Sequence, residues 1–432
     1  MCTENASICP PWRCTSGRRG PGCGRIPSVT TDSQTPVPLS QPIGAGIVTA
    51  LVGFTSSFAV VLTGLHGVGA SGPEAASGLL TLCVTQGVGI LWLARRYRTP
   101  ITLAWSTPGA ALLAGTGAVA GGWPAAVGAF VVVGLAVVLT GLSPHLGRLI
   151  AAIPTSLAQA MLAGVLVPLC LAPVTSLAAD PAAIAPVALT WLIVLRLRPR
   201  WAVPAAFAAA AVVIAIGLAR SGTRPAPTDL LPSLSFTAPA WTWQALLGIA
   251  LPLYIVTMAS QNIPGTAVLS SFGYRTPWRA AMAVTGLGTV LGAPSGGHAI
   301  NLAAISAALS AAPEADPDPN RRWVAAWTAG WSYLALALLS TAVATLVALA
   351  PAGVVETVAG LALLSTLGSA LASSLRDTDG REAAVVTFLV AASGLSAFGI
   401  GAAFWALVAG LAVRAVLSFE QSNSGTGKVV ER

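Results

Sequence analysis

Long apolar stretches follow one another through most of this sequence, with few charged residues between them. Residues 43–417 contain 26 Asp, Glu, Lys and Arg residues. Charged residues make up 8% of the whole chain, against about 25% in a typical soluble domain. A soluble fold of 432 residues cannot cover its surface with so little charge. The sequence therefore predicts a polytopic membrane protein and excludes a secreted enzyme, a nucleic-acid binder and a disordered scaffold.

A polar, Pro-rich linker divides the apolar stretches into two equal sets. A membrane-spanning helix needs about 20 mostly apolar residues, and twelve stretches approach that length. Two shorter segments, 101–118 and 293–310, begin with polar residues, Pro and Gly and are expected to be part extended chain and part helix. Counting both gives fourteen spans, seven on each side of the linker. The twelve longer stretches are 43–65, 75–94, 123–142, 153–172, 181–197, 201–219, 245–269, 278–292, 323–350, 352–371, 383–397 and 399–417.

The positions of the basic residues support this count. With the N-terminus in the cytoplasm, 20 of the 22 Lys and Arg residues fall on the cytoplasmic side, as the positive-inside rule predicts. Only Arg220 and Arg224 fall outside. Removing either short segment would reverse the sidedness of the loops that follow. We therefore predict a multi-pass protein of the cytoplasmic membrane with both termini in the cytoplasm.

Seven is an odd number, so the second set of spans enters the membrane from the side opposite to the first. Two such sets related by an axis in the membrane plane form the inverted repeat of many secondary transporters. The predicted fold class is thus an all-α membrane protein with a 7+7 inverted repeat. The expected divisions are a disordered cytoplasmic tail (1–42), a first repeat (43–219), an extracytoplasmic linker (220–240), a second repeat (241–417) and a cytoplasmic tail (418–432).

The N-terminal tail has no central hydrophobic run and does not read as a signal peptide. Four of the six Cys residues lie in it, without a CxxC pair and without a nearby His. Incidental thiols are favoured over a metal site by this spacing, and we predict neither a metal nor a cofactor. The four are Cys2, Cys9, Cys14 and Cys23.

The two short segments carry the strongest functional signal. Thr107 is expected to cap a helix that begins at Pro108, and Ser295 a helix that begins at Gly296. Gly296 and Gly297 would let a ligand approach the backbone closely. Two helix N-termini that face each other in the membrane bind an anion without a buried Arg or Lys. The alternative is a pair of kinked helices that only pack against their neighbours.

Adjacent polar residues interrupt two apolar spans at corresponding positions of the two halves. Gln261 and Asn262 are amides that either contact a ligand or hold broken backbone. Ser56 and Ser57 lie on the matching span, where serine also bonds its own helix. Both pairs are candidate substrate-binding residues.

Other side chains near the short segments have two interpretations each. His298 either carries the proton of a coupled transport step or holds the irregular backbone. Asn301 is a candidate ligand on the same face, and Trp105 is a candidate wall for an aromatic ring or a packing residue. Glu356 is interpreted as a partner of the helix dipole at the start of span twelve.

Neither polar cluster contains an acidic residue. A neutral nucleobase with N–H donors would be matched by carboxylate acceptors. Amides, hydroxyls, glycines and helix N-termini instead favour an anion.

Six sequence runs resemble the benzoate:proton symporter family, and the resemblance covers roughly residues 45–417. It implies import of benzoate or a related aromatic carboxylate together with a proton. It also implies kinship with nucleobase and sulfate/bicarbonate-type anion transporters, whose 7+7 repeat forms a core and a gate domain, with spans three and ten meeting in the core. The runs are Val52–Gly64, Ala104–Leu113, Thr257–Gly265, Pro294–Ala304, Pro313–Pro317 and Ala391–Trp405.

The resemblance also carries over individual positions as site residues. The matching residues are Ser106, Thr107, Gln261, Asn262, Ser295, Gly296, Gly297 and His298.

Other functions stay open beside this one. Within the same fold, the alternatives are a transporter of another small anion, a nucleobase-type permease or a uniporter, and a channel is a further class. A membrane-embedded enzyme is disfavoured because the sequence has no HExxH and no GxSxG motif. The expected partners are the lipid bilayer, the aromatic carboxylate and a proton, and a second copy of the chain is left open.

Overall fold

The computed structural model describes residues 38–117, 119–143, 145, 154–222, 225–378 and 380–426. The predictions for the tail up to residue 37, including its four cysteines, lie outside the described residues.

The first half of the described chain contains eight helices and one short strand. Local caps account for several helix starts: Asp180 Oδ1, for example, accepts a hydrogen bond of 3.1 Å from Ala183 N, with Pro181 as the first helical residue. The elements are α1 (Ser40–Thr55), α2 (Phe58–Gly67), α3 (Gly72–Tyr97), β1 (Leu103–Trp105), α4 (Thr107–Thr116), α5 (Gly122–Leu142), α6 (Thr155–Ala179), α7 (Pro181–Leu197) and α8 (Ala202–Ser221).

The second half follows a linker with a short 3₁₀ turn at Pro227–Leu230. Its last helix continues into the segment that was expected to be a polar tail from residue 418. Glu356 lies in the first turn of span twelve, as expected for a partner of the helix dipole. The elements are α9 (Trp243–Ser271), α10 (Trp278–Gly292), β2 (Ile300–Leu302), α11 (Ile305–Ala311), α12 (Trp323–Ala348), α13 (Val354–Ser374), α14 (Arg381–Ala392) and α15 (Ala402–Thr426).

These elements confirm the fourteen predicted segments in their predicted order. Within the described ranges, eight helical stretches are long and apolar enough to cross a membrane, and α1 and α2 together form one of them. The other six segments are the shorter helices α7, α10, α14 and α15 and the two strand–helix pairs β1–α4 and β2–α11.

Helix packing follows the pattern of an inverted repeat. Helix α3 packs along α12, and α10 packs along α5. The first contact joins spans two and eleven, and the second joins spans nine and four. In a 7+7 repeat, span two corresponds to span nine and span four to span eleven. The two contacts are therefore equivalent in the two halves. The contacts α7–α8 and α14–α15 are related in the same way, and α6–α13 is its own counterpart.

The packing divides the spans into two groups. One group, here called the core group, contains α1–α5, α9–α12 and both strands. The other, the gate group, contains α6–α8 and α13–α15. The predicted core and gate organisation is therefore confirmed.

The strands of the two short segments pair with each other inside the core group. They run antiparallel, with Leu103 opposite Leu302, Ala104 opposite Asn301 and Trp105 opposite Ile300. Extended backbone within a membrane must satisfy its polar groups inside the protein, and this ladder does so. The expectation that each segment is part extended and part helical is confirmed.

Contacts between loops agree with the odd–even count of spans. Gln41 Nε2, at the start of span one, donates to Glu314 O after span ten over 3.0 Å. Thr345 Oγ1, near the end of span eleven, donates to Asp229 O of the linker after span seven over 2.7 Å. Each of these two hydrogen bonds joins segments of equal parity, as the count of spans requires.

Candidate substrate-binding site

A cavity of about 680 Å³ lies between the core group and the gate group, beside the strand pair. This volume falls in the range of small-molecule sites. Elements of both groups line it: the α1–α2 break, the β1–α4 and β2–α11 junctions and α9 from the core, and α8 and α13 from the gate. Its polar neutral lining residues are Ser56, Ser57, Thr107, Gln261, Ser306, Ser365 and Thr366.

Charged residues line the cavity only at its mouth, among the described residues. Arg200 lies in the 3₁₀ turn Pro199–Trp201 between α7 and α8, and Glu314 follows α11. Both are exposed and belong to interhelical loops. The inner cavity is thus lined by neutral side chains.

The first helix break of the cavity wall lies at Ser56 and Ser57. Ser56 Oγ donates to Gly53 O over 3.1 Å, and Ser57 Oγ donates to the same carbonyl over 3.3 Å. Ser57 Oγ also accepts from Trp105 Nε1 over 2.8 Å. Both hydroxyl protons are therefore used within the protein, so neither serine offers a donor to a carboxylate.

The matching span in the second half, α9, contains a π-helical turn at Met258–Asn262. Such turns often occur at functional sites. Gln261 is half-buried and lines the cavity. Asn262 lies on the other side, fully buried, where its Oδ1 accepts from Leu302 N over 2.9 Å. Of the two predicted amides, one faces the cavity and the other holds strand β2.

Helix α4 begins one residue earlier than expected. Ser106, not Thr107, is the cap: its Oγ accepts from Gly109 N over 3.2 Å and is 2.8 Å from Thr257 Oγ1. Ser106 is fully buried. Thr107 is instead the first helical residue, is half-buried and lines the cavity.

The predicted helix start at Gly296 is wrong. Ala293–Ser295 is a 3₁₀ turn and Gly296 follows it with φ 91°. The chain then extends through β2, and α11 begins at Ile305. A Cβ at Gly296 would lie 2.9 Å from Glu74 O, so the glycine serves the close packing of α3. Ser295, Gly296 and Gly297 do not line the cavity.

His298 and Asn301 lie behind the cavity wall, and both are fully buried. His298 Nε2 is 3.1 Å from Ser106 O, whereas its Nδ1 has no hydrogen-bond partner among the described residues. Asn301 belongs to β2, opposite Ala104. The structure thus places the histidine next to the residue that caps α4.

Taken together, the structure brings five of the twelve predicted site residues to the cavity and places seven outside its lining. Ser56, Ser57, Trp105, Thr107 and Gln261 line it. The seven others are Ser106, Asn262, Ser295, Gly296, Gly297, His298 and Asn301.

Five polar or charged lining residues, Arg200, Ser306, Glu314, Ser365 and Thr366, were not among the site residues predicted from the sequence. Ser365 and Thr366 form an adjacent polar pair within an apolar span, the signal that had singled out Ser56 and Ser57. Ser306 lies in the short segment 293–310, and Arg200 had been interpreted only as a loop charge.

Comparison with known sequences supports a transport role. The family model of the benzoate membrane transport proteins (BenE) matches residues 37–416. The inner membrane protein YdcO of Escherichia coli is 39% identical over 85% of this chain and 93% of its own length. The benzoate membrane transport protein of Acinetobacter baylyi is 28% identical over 85% of this chain and 92% of its own length.

Solved structures of low sequence identity share the fold. The transmembrane domain of the cyanobacterial bicarbonate transporter BicA has a TM-score of 0.58 at 14% identity, covering 86% of this chain and 97% of that chain. Murine Slc26a9, an anion transporter in the inward-facing state, has a TM-score of 0.58 at 12% identity, covering 90% and 69% respectively. With a family match over nearly all of the membrane portion, the chain belongs to the benzoate membrane transport protein family, which consists of membrane transporters and not of enzymes.

Proposed function

We propose that this protein imports benzoate or a related aromatic carboxylate with a proton, by alternating access between the core and gate groups. Membership of the family supports this substrate class. The observation that carries the proposal is the pair Thr107 and Gln261, which line the uncharged part of the cavity. Among the described residues neither side chain has a hydrogen-bond partner, so both are available to a ligand.

The donors at this pair suit a carboxylate. Thr107 is the first residue of a ten-residue helix, so its backbone N–H has no intrahelical partner, and its hydroxyl is a second donor. The helix N-terminus adds a partial positive charge. Pro108 has no N–H and Gly109 N is already bonded to Ser106. Together with the amide of Gln261, Thr107 therefore supplies the donors.

The rest of the inner cavity suits an aromatic ring. Val52, Ala104, Phe272, Ala303 and Leu309 line it with apolar surface. Small-molecule sites commonly combine such walls with a few placed polar groups. A flat ring that extends from Thr107 would bury its faces against these side chains.

We assign the coupled proton to His298. Its ring lies against Ser106 O, and Ser106 caps the helix at whose start the anion would bind. A positive charge there would attract the carboxylate through the weakly screened interior. Protonation of His298 and anion binding would then favour each other.

Uptake of labelled benzoate into proteoliposomes under an imposed pH gradient tests the transport proposal. We expect saturable, gradient-dependent uptake that unlabelled benzoate abolishes and that sulfate, bicarbonate and uracil do not. Absence of such uptake, or competition by sulfate or bicarbonate alone, would overturn the proposed substrate.

The variant His298→Gln tests the proposed proton coupling separately from transport itself. We expect this variant to exchange labelled for unlabelled benzoate across the membrane but not to accumulate it with the pH gradient. The exchange reaction reports whether the variant is folded. Accumulation equal to that of the unchanged protein would refute the role of His298.

We further propose that both termini lie in the cytoplasm and that the membrane is the inner membrane. The distribution of basic residues and the name of the Escherichia coli relative support this. Labelling of single cysteines introduced at positions 41 and 229, which the count of spans assigns to opposite faces, tests the orientation. Access to residue 41 from the periplasm would reverse it.

A further inference from the structure

Helix α13 presents a small polar face to the cavity from the gate side. Ala362, Ser365 and Thr366 line the cavity, and their spacing of three and four residues places them on one face of the helix. Ser365 is exposed and Thr366 half-buried. In the described lining, these two residues supply the hydroxyl groups of the gate side.

Neither hydroxyl is committed to the helix backbone. Serine and threonine in membrane helices usually donate to a carbonyl one turn earlier. Thr387 on the neighbouring gate helix α14 does so, to Ala383 O over 2.7 Å. No described residue is a hydrogen-bond partner of Ser365 or Thr366, so both groups are available to a bound molecule.

The polar groups of the cavity thus lie on two walls. Thr107 and Gln261 belong to the core wall, Ser365 and Thr366 to the gate wall, and apolar side chains such as Val52 and Leu309 contribute lining from the core side. A ligand with one polar end can form hydrogen bonds with only one wall. A ligand with polar groups at both ends of an apolar body can form hydrogen bonds with both walls.

We propose that Ser365 and Thr366 determine specificity for a second polar group on the substrate, so that the preferred ligand is a hydroxylated aromatic carboxylate. This inference rests on the proposed function. With the carboxylate at Thr107, a meta or para hydroxyl points away from the core wall and toward α13. An ortho hydroxyl stays beside the carboxylate and bonds to it internally, so it gains nothing from α13.

Binding affinities of four acids test the inference without requiring transport. Benzoate and 2-, 3- and 4-hydroxybenzoate are titrated by calorimetry into the purified full-length protein, the double variant Ser365→Ala/Thr366→Val, and Ser369→Ala. The last is a matched control, because Ser369 is exposed on the same helix and does not line the cavity.

We expect the 3- or 4-hydroxy acid to bind about fivefold more tightly than benzoate, the effect of one net hydrogen bond. The double variant should lose this preference, and its thermal unfolding in detergent reports separately whether it is folded. The 2-hydroxy acid should bind like benzoate, and Ser369→Ala should behave like the unchanged protein.

The outcomes separate this inference from the function on which it rests. Equal affinities for benzoate and its 3- and 4-hydroxy derivatives would refute the inference and leave the proposed function intact. If the double variant still preferred the 3- or 4-hydroxy acid, the inference would also be refuted and the proposed function left intact, because residues other than Ser365 and Thr366 would then bind the hydroxyl group. Failure of all four acids to bind would overturn both.

Discussion

The indole Nε1–H of Trp105 donates a 2.8 Å hydrogen bond to Ser57 Oγ and so ties strand β1 to the break between α1 and α2. The same serine donates its own proton to Gly53 O. Trp105 also packs edge-on against Phe54, with ring centroids 5.8 Å apart. The helix break in span one is therefore held by a residue of span three.

Trp105→Phe tests this link, because phenylalanine keeps the ring contact but removes the donor. We expect it to lower the free energy of unfolding by about 1 kcal/mol for the lost hydrogen bond, and further because the smaller ring leaves space in a buried site. Ser57→Ala should lose the same hydrogen bond, so the double variant should be no worse than Trp105→Phe alone. Thermal unfolding in detergent measures all three. Additive losses would show that the two residues act independently.

Substitutions at the neighbouring residues Thr107 and Ser106 are expected to change different properties, ligand binding for Thr107 and stability for Ser106. Thr107→Val removes the proposed ligand donor and should weaken benzoate binding about fivefold without lowering the melting temperature. Ser106→Ala removes a buried helix cap and should cost about 1 kcal/mol of stability. Calorimetric titration and thermal unfolding separate the two effects. A Thr107→Val protein that is unstable but binds normally would contradict the assignment.

Benzoate binding is expected to be sensitive to a negative charge at position 261. Gln261→Glu keeps the size of the side chain but places a carboxylate opposite the bound anion, and like charges in a partly screened interior repel strongly. We expect at least tenfold weaker benzoate binding at neutral pH, and a smaller loss in Gln261→Leu. Gln244→Glu on the same helix, outside the cavity lining, is the control. Equal effects of the two glutamate variants would argue against direct contact.

Gly53 and Tyr333 form a steric pair beside the cavity. A Cβ added at Gly53 would overlap with Tyr333 Oη, whereas the Cζ atom behind it would be at an ordinary distance of 3.5 Å. Gly53→Ala alone should therefore lower the melting temperature and benzoate affinity. Combining it with Tyr333→Phe should restore both, since the colliding oxygen is gone. No rescue in the double variant would show that Gly53 is needed for another reason.

The spans could be predicted from local sequence, and their sidedness, which rests on loop charge, stays a prediction. Apolar length and loop charge act on each segment separately. The two strand–helix segments were found for the same reason: Pro, Gly and polar residues interrupt their apolar runs. The helix start predicted at Gly296 was wrong because local sequence preferences do not include pairing with a distant segment. Ser and Gly suit a helix start, but the segment after them is extended because it pairs with β1, far away in the sequence.

By itself, the sequence determined the fourteen segments of an inverted repeat, and it predicted that an anion site in this chain would be built from neutral groups. Only the tertiary structure decided which neutral groups face the cavity. Ser106 and Thr107 are neighbours, as are Gln261 and Asn262, yet in each pair one residue lines the cavity and the other is buried behind it. The rotation of a helix about its axis is set by packing against distant spans, and adjacent residues on a helix point about 100° apart.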